Sequence, residues 1–440
     1  MRKCPATTVS PRGAAPIPSL SLPLHSKVTP TAGAVMRISR LDLTDFRNYE
    51  RLDLPLPAGR LLFLGDNAQG KTNLLEAVHL LSTLRSLRVS TDAELIRWEA
   101  LDGPIPAARL VADAETSLGP IRVEMVIEGQ QTASATEDRT RAAKKVRVNG
   151  APTRLSGAMG RIKTVLFTPQ DIDLVGGPPA LRRRYLDMAL SQIDEAYLGA
   201  LQQYGKVLTQ RNALLHRIQS ALAGRDELAF WDVRFVELAA AVVGRRARAV
   251  VALAGYAAET HAFLSETREE LVVAYRPRGS GDWDGERLGD ADEREIAAGL
   301  IETLNRNRER EVAAAASLWG PHRDDLALTL NGRPAAAFAS RAQARTIALA
   351  LRLAEARLML DRSGERPILL LDDILSEMDA RRRTSVLEAT GAFDQVWITS
   401  AEQGEVERIG ARATVFVVEE GRVQRPERAL REAPSGTADS

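Results

Sequence analysis

The sequence predicts an α/β fold with a parallel-sheet core, a β-rich lobe and an inserted helical arm. Three observations predict it. A glycine-rich loop at residues 65–72 follows an apolar strand and opens a helix. A second apolar strand, residues 367–371, ends in two aspartates about 300 residues later. Between them, residues 180–318 carry long helical periodicity in place of strand-like alternation.

At 440 residues the chain has room for two or three domains, and its 45% hydrophobic and 27% charged composition is that of a water-soluble globular protein. Its apolar runs fall far short of the ~20 residues of a spanning helix, so no membrane role is expected. One cysteine, Cys4, allows no disulfide within the chain and no cysteine-based metal site, which fits a reducing cytoplasm. A net charge of +1 means that any nucleic-acid surface must be a local patch.

Taken in order, residues 1–35 are rich in Pro, Ser, Thr and Ala without the apolar run of a secretory signal; they read as a disordered extension, or as a start codon set ahead of Met36. Residues 36–177 form the first part of a nucleotide-binding domain, with strands at 37–43, 61–64, 123–127 and 164–167. Residues 178–319 form the helical arm, with helices over 180–223, 228–268 and 293–318 and a Gly- and Asp-rich loop over 276–292. Residues 320–425 return to strands, with a helix over 341–362 and a closing strand pair at 414–418 and 422–424, and 426–440 are a polar tail.

The loop Gly65, Asp66, Asn67, Ala68, Gln69, Gly70, Lys71, Thr72 matches G-x-x-x-x-G-K-[ST]. Its glycines let successive backbone N–H groups and the positive end of the following helix face phosphates. Lys71 is expected to reach the β- and γ-phosphates, and Thr72 to ligate magnesium, so the ligand is ATP with Mg2+. Carboxylates at the end of a buried parallel strand sit where ligands collect; Asp372 fits the magnesium-holding position, and Asp373 the position that orients the attacking water. A helix-capping role is the plainer alternative for Asp373.

Wide separation of these two motifs is expected of ABC-type ATPases, whose arms are inserted between them. Gln170, in the metal and catalytic set, fits the glutamine loop after the strand 164–167. Ser340, Arg341 and Gln343 open the helix before Asp372 as an ABC signature does, and Ser376, Glu377, Met378 and Asp379 fit the D-loop. In this class one protomer's signature seals the nucleotide of another, so the active unit is a dimer.

The segments LTDFRNY (43–49), GDNAQGKTN (65–73), FTPQD (167–171) with LRRRYLD (181–187), GPHRDDL (320–326), FASRAQ (338–343) and LDDILSEMD (371–379) together resemble the RecF family, bacterial recombination and repair ATPases related to SMC heads. The resemblance spans residues 36–424 and implies an ABC-type P-loop ATPase head plus an inserted helical arm. It implies an ATP-dependent homodimer on duplex DNA at gaps or single-strand junctions, acting with RecR and RecO to load RecA in recombinational repair and the SOS response, with weak, slow, DNA-stimulated ATP hydrolysis. Arg47, Asn48 and Asn73 match family positions beside the nucleotide.

Two positions depart from the family pattern. The signature glycine is Ala342, whose methyl fits only with negative φ. Thr399 and Ser400 stand where a switch histidine is otherwise found, which agrees with slow turnover. His322 lacks a second ligand and is given no chemical role. Arg182, Arg183, Arg184, Lys206 and Arg211 are candidate phosphate contacts, as are Arg139, Arg141, Lys144, Lys145 and Arg147; solvated faces or internal ion pairs are the alternatives for all of them. Another SMC/RecF-like ATPase is the nearest rival. A transporter ATPase subunit fits less well because the arm is too long. A nuclease-linked ATPase would need a further acidic domain, and only about 60 residues follow Asp379.

Overall fold

The computed structural model describes residues 36–425 except 102, 131–140, 266–268, 279–284, 376–377, 403, 405–408 and 410–412. The expected N-terminal extension, Arg139, Ser376, Glu377 and the 426–440 tail therefore lie outside the described residues.

A six-stranded, mostly parallel sheet forms the centre. Gly59–Leu64 runs between Ala413–Glu419 and Gln395–Ser400; Ile368–Asp372 and Thr164–Phe167 continue the sheet in parallel, and Arg422–Gln424 closes the far edge antiparallel. Every residue of Ile368–Asp372 and Gln395–Ser400 is buried. The reason is that both faces are covered, and period-2 alternation sends successive side chains into two different cores. Leu62, Leu64, Leu369, Leu371, Val396 and Ile398 face the arm and the helix Arg341–Ser363. Leu61, Phe63, Ile368, Leu370 and Trp397 face the other way, toward the helix Lys71–Thr83 and the second sheet. Phe63 stacks on Trp397 and Phe416 at 5.0 and 5.2 Å, tying three adjacent strands on that side. Each such large apolar side chain contributes about 1.5–3 kcal/mol of burial.

The second sheet is the β-rich lobe: six antiparallel strands in the order Tyr49–Pro55, Arg37–Phe46, Ala107–Thr116, Gly119–Gln130, Arg141–Val148, Ala151–Thr153. Its first hairpin brings Arg47 and Asn48 to the phosphate-binding loop.

The arm differs from its sequence reading in three places. The expected helix over 180–223 is two, Pro179–Ser191 and Glu195–Gln219, because Asp194 turns extended and caps the second by accepting from Tyr197 N at 2.8 Å. The expected loop 276–292 contains a short helix, Gly285–Asp290. The arm, expected to hold helices and a loop, also contains the strand Leu271–Arg276, paired antiparallel with Asp325–Leu330 from the second ATPase part. The proposed division at 319/320 thus crosses a three-stranded sheet. The 38-residue helix Leu228–Ser265 spans the same join: it packs on the arm and on Arg341–Ser363 within one continuous core. Among the described residues no helix is long and apolar enough to cross a membrane.

Candidate nucleotide site

The phosphate-binding loop leaves the sheet at Leu64 and enters the helix Lys71–Thr83 at Gly70. Two glycines are required by close approach. A Cβ at Gly65 would lie 2.1 Å from Val418 O, and one at Gly70, where φ is 116°, would lie 2.6 Å from Asn48 Nδ2. Asp66, Asn67 and Ala68 form an exposed tip, with Ala68 left-handed at φ 67°. Neighbours hold the loop from three sides. Asn48 Nδ2 donates to Gln69 O (2.9 Å), and Asn73 Nδ2 donates to Asn48 Oδ1 (2.9 Å). Tyr49 OH donates to Gly70 O (3.0 Å), while Gly421 N and Glu420 N donate to Gln69 O and Gln69 Oε1. Preorganisation of this kind lets an anion bind without first ordering the backbone.

Lys71 Nζ donates to Gly65 O (2.5 Å) and Asp66 O (2.8 Å). Burial pushes the Lys71 ammonium below the usual lysine value, opposed by the charges of Asp373, Asp372 and Asp66.

Thr72 and Asp372 meet across the sheet: Thr72 Oγ1 donates to Asp372 Oδ1 at 2.9 Å. Thr399 Oγ1 donates to the same oxygen at 2.8 Å and accepts from Asp373 N at 2.9 Å. Burial raises the Asp372 carboxyl above its ordinary value, and the bonds from Thr399 and Thr72 act against that rise. A hydroxyl and a carboxylate of this kind are hard oxygen donors and fit magnesium, which takes few protein ligands and fills its octahedron with phosphate oxygens and water. Asp373 is left-handed, φ 49°, at the mouth of the site. Sequence reasoning gave Thr399 no ligand-positioning role. The parallel register that sets it opposite Asp372 is what gives it one.

Gln170 is exposed in the short helical turn Pro169–Ile172, three residues beyond Phe167, which pairs with Leu371. Pro169, Ile172, Arg345 and Asp373 line one small cavity there. The glutamine loop is therefore set beside Asp373. Its next residue, Asp171, accepts from Arg352 Nη2 (2.6 Å) on the helix Arg341–Ser363, and Arg352 Nη1 donates to Glu355 Oε2 (2.9 Å), all buried.

Arg47 is positioned by Glu76, donating through Nε (3.0 Å) and Nη2 (2.9 Å), and by Glu94 O (3.1 Å). Glu76 also accepts from Ser86 Oγ (2.6 Å) and pairs with Arg88 at 3.6 Å; Arg88 donates to Asn73 Oδ1 at 3.1 Å. Glu76, Ser86 and Arg88 carry no motif, and only the fold brings them together.

Ser340 caps the helix Arg341–Ser363, accepting from Gln343 N (3.2 Å), while Gln343 Oε1 accepts from Ser340 N (2.8 Å) and Gln343 Nε2 donates to Glu269 (2.7 Å). Ser340, Arg341 and Ala342 are exposed or half-exposed, and Ala342 is helical with negative φ, so its methyl meets no backbone penalty. Asp379 caps Ala380–Ala389 by accepting from Arg382 N (2.9 Å). Ala342, Arg345 and Thr346 share a surface cleft with Met378, Asp379 and Arg382, which puts signature and D-loop side by side.

Half of the expected phosphate-binding basic residues, five of ten, are paired within the chain. Arg182 is buried against Asp325, with bonds of 2.7 and 2.9 Å; Arg211 is buried against Glu311 and Asp232. Lys144 bonds Asp92 and Leu84 O, Lys145 pairs with Glu128, and Arg147 lies 4.0 Å from Glu124. All are ion pairs within the chain, the plainer alternative: Arg182, Arg211 and Lys144 are desolvated cations that need a partner, whereas Lys145 and Arg147 pair on an exposed face. His322 is likewise structural: its ring nitrogens meet Tyr204 OH (2.6 Å) and Ser317 O (3.0 Å).

Residues 37–424 match the family model described as the RecF/RecN/SMC N terminal domain. The chain is 42% identical over 373 residues to the DNA replication and repair protein RecF of Chloroflexus aurantiacus, covering 83% of this chain and 93% of that one. It is 36% identical over 392 residues to the same-named protein of Halalkalibacterium halodurans, covering 89% and 100%. A solved structure of the recombination mediator protein RecF with ATP, from the RecFOR pathway, superposes with a TM-score of 0.79 at 29% identity over 90% of this chain and 99% of that one. With the phosphate-binding loop, the paired aspartates and the inserted arm all in the family's order, the chain belongs to the RecF family of SMC/ABC-type ATPase heads.

Proposed function

We propose that this chain is a RecF-type DNA-repair ATPase that binds ATP with magnesium at residues 65–73 and closes into a homodimer on duplex DNA at gaps or single-strand junctions. The observation that carries the reading is the 2.9 Å bond between Thr72 and Asp372, residues 300 apart in sequence, beside the Lys71 ammonium. ATP binding is also what the solved relative's description reports of that protein. Lys71 and the loop N–H groups hold the phosphates, with Arg47 and Asn48 alongside on the first hairpin. Thr72, Asp372 and Gln170 would hold the magnesium, which when bound neutralises charge on the β- and γ-phosphates. Asp373 orients the attacking water. Ser340, Arg341, Gln343 and Asp379, together on an exposed face, complete the partner's site across the dimer. The helix N-terminus at Ser340 favours the γ-phosphate there. Slow hydrolysis releases the dimer, and RecR and RecO work with it to load RecA, in the cytoplasm at the nucleoid.

The test is sedimentation with a short duplex and a non-hydrolysable ATP analogue, together with binding to gapped against uniform duplex with and without RecR. A dimer that forms only with nucleotide, and tighter binding at gaps, are expected. A monomer under all conditions would refute the reading. Lys71→Ala abolishes nucleotide binding, whereas Asp373→Asn keeps ATP and stops turnover; if both hydrolyse ATP normally, the site assignment is wrong. Asparagine is the fitting replacement because it tolerates the left-handed backbone of Asp373.

A further inference from the structure

A broad groove outside the nucleotide site lies between the end of the helix Lys71–Thr83 and the two arm helices Pro179–Ser191 and Glu195–Gln219. Arg85, Arg183, Arg184, Lys206 and Arg246 line it, five cations against one lining carboxylate, Asp187. That carboxylate is already committed, accepting from Arg246 Nη2 (2.7 Å) and Tyr197 OH (2.5 Å). Arg183 and Arg184 bond only main-chain oxygens, Asp324 O (2.7 Å) and Ser86 O (2.8 Å). Arg85 and Lys206 are exposed. Burial, and then the charge of Arg246, push the Arg183 guanidinium below the ordinary arginine value; burial and Arg85 do the same to Arg184. Unlike Arg182 and Arg211, Arg183 and Arg184 hydrogen-bond no carboxylate; Asp324, Asp325 and Asp187 offset part of the crowding at Arg183 from a distance, whereas burial and Arg85 act on Arg184. Such crowding costs free energy in the isolated protein and is relieved by an anion.

We infer that this groove is the track for the phosphodiester backbone of the bound nucleic acid. The inference rests on the DNA-binding reading above and adds the site. Three features favour a backbone over a small anion or a base-reading contact. The cations come from four separate segments and are spread along a groove. They are guanidinium and ammonium groups suited to phosphate. Apolar side chains such as Leu198, Leu201 and Met188 supply much of the remaining wall, and Tyr204, the one aromatic lining residue apart from His322, has its hydroxyl tied to that histidine. That composition tracks a strand without reading its sequence.

The groove is wired to the nucleotide. Arg184 holds Ser86 O; Ser86 Oγ donates to Glu76; Glu76 binds Arg47 and lies 3.6 Å from Arg88; Arg88 reaches Asn73, which donates to Asn48, which donates to Gln69 O of the phosphate loop. A phosphate that draws Arg184 away from Ser86 O acts on the element that braces Glu76. Nucleic acid and ATP binding are therefore coupled, and by linkage the coupling is reciprocal.

The test uses the full chain with Arg85→Glu and Lys206→Glu combined, and Arg362→Glu, exposed at the far end of the helix Arg341–Ser363, as a charge-reversal control away from the groove. Anisotropy of a labelled duplex with the non-hydrolysable analogue is read across a salt series, alongside ATP affinity and urea unfolding. The log–log salt slope of the double variant is expected to fall by about 2, one per lost phosphate contact, with ATP affinity in the absence of DNA and the unfolding midpoint unchanged. The shift in ATP affinity that duplex causes in the wild type is also lost, and Arg362→Glu behaves as wild type. An unchanged slope in the double variant, with wild type binding normally, overturns the inference. So does competition by inorganic phosphate alone at the groove without any effect on duplex binding. A wild type that binds no duplex in any nucleotide state sinks the DNA reading itself, a different result from an unchanged slope.

Discussion

Thr399→Val tests the geometry behind the magnesium position with almost no change of shape. Thr399 is fully buried, and its hydroxyl does two things: it donates to Asp372 Oδ1 at 2.8 Å and accepts from Asp373 N at 2.9 Å. Loss of a hydrogen bond to a charged group costs about 1.5–3 kcal/mol, and an unpaired buried N–H costs about 1–3 kcal/mol. Asp372 keeps its bond from Thr72, and the chain past Asp373 can relax, so the net is expected near the lower ends, about 2.5 kcal/mol. Urea unfolding reads this as a lower midpoint at unchanged slope. The pH dependence has a definite sign. Asp372 already has a folded pKa above its unfolded value, so its charged form is penalised in the folded state at pH above that folded value. Removing the Thr399 donor raises it further, and the variant must regain part of its lost stability as pH falls and Asp372 takes a proton. Thr399→Ser restores the hydroxyl and returns the protein to near wild type. A loss under about 0.5 kcal/mol, or a deficit that grows toward acid, would refute the reasoning.

Arg352→Met removes the cation shared by Asp171 and Glu355, leaving two buried carboxylates unpaired; a loss of about 3–5 kcal/mol by urea unfolding is expected. Burial already pushes Glu355 up to about 7 against the pull of Arg352, so the variant is further expected to gain stability toward acid. His322 has the opposite behaviour to a paired histidine. Burial holds it down to about 4, against 6.5 unfolded, so stability from the neutral ring is present above pH 6.5 and is lost as pH falls toward 4, by up to about 3 kcal/mol. The midpoint difference between wild type and His322→Asn, followed from pH 7.5 to 4, should shrink accordingly; a constant difference would count against it. Gly70→Ala forces a Cβ into Asn48 at a φ of 116° and is expected to cost nucleotide affinity at least tenfold by equilibrium titration.

Which features the sequence disclosed, and which it hid, follows from how far apart the cooperating residues lie. The phosphate loop is local: strand, glycines, lysine and helix are contiguous, so residues 65–73 were legible from spacing alone. The strand Ile368–Asp372 was legible because both its faces are covered, which forces an unbroken apolar run ending in aspartates. The strand Leu271–Arg276 was not, since six alternating residues behind a 38-residue helix have no meaning until Asp325–Leu330 pairs with them. Charge was the least legible property. Arg182, Arg183 and Arg184 are consecutive and read identically, yet Arg182 meets the Asp325 carboxylate 143 residues away while its two neighbours find only carbonyl oxygens. A helical rotation of about 100° per residue separates their fates. It turns one guanidinium into the core as a structural ion pair and leaves the next two in the groove as charge available to an anion. The same logic sorts the nucleotide site, where Thr399 became a positioning residue through parallel register with Asp372. Function in this chain therefore rests on residues whose neighbours in space supply what their neighbours in sequence do not. The groove and the phosphate loop are joined through Ser86, Glu76 and Arg88, side chains that carry no motif, and substitutions at those three are the place to separate coupling from binding.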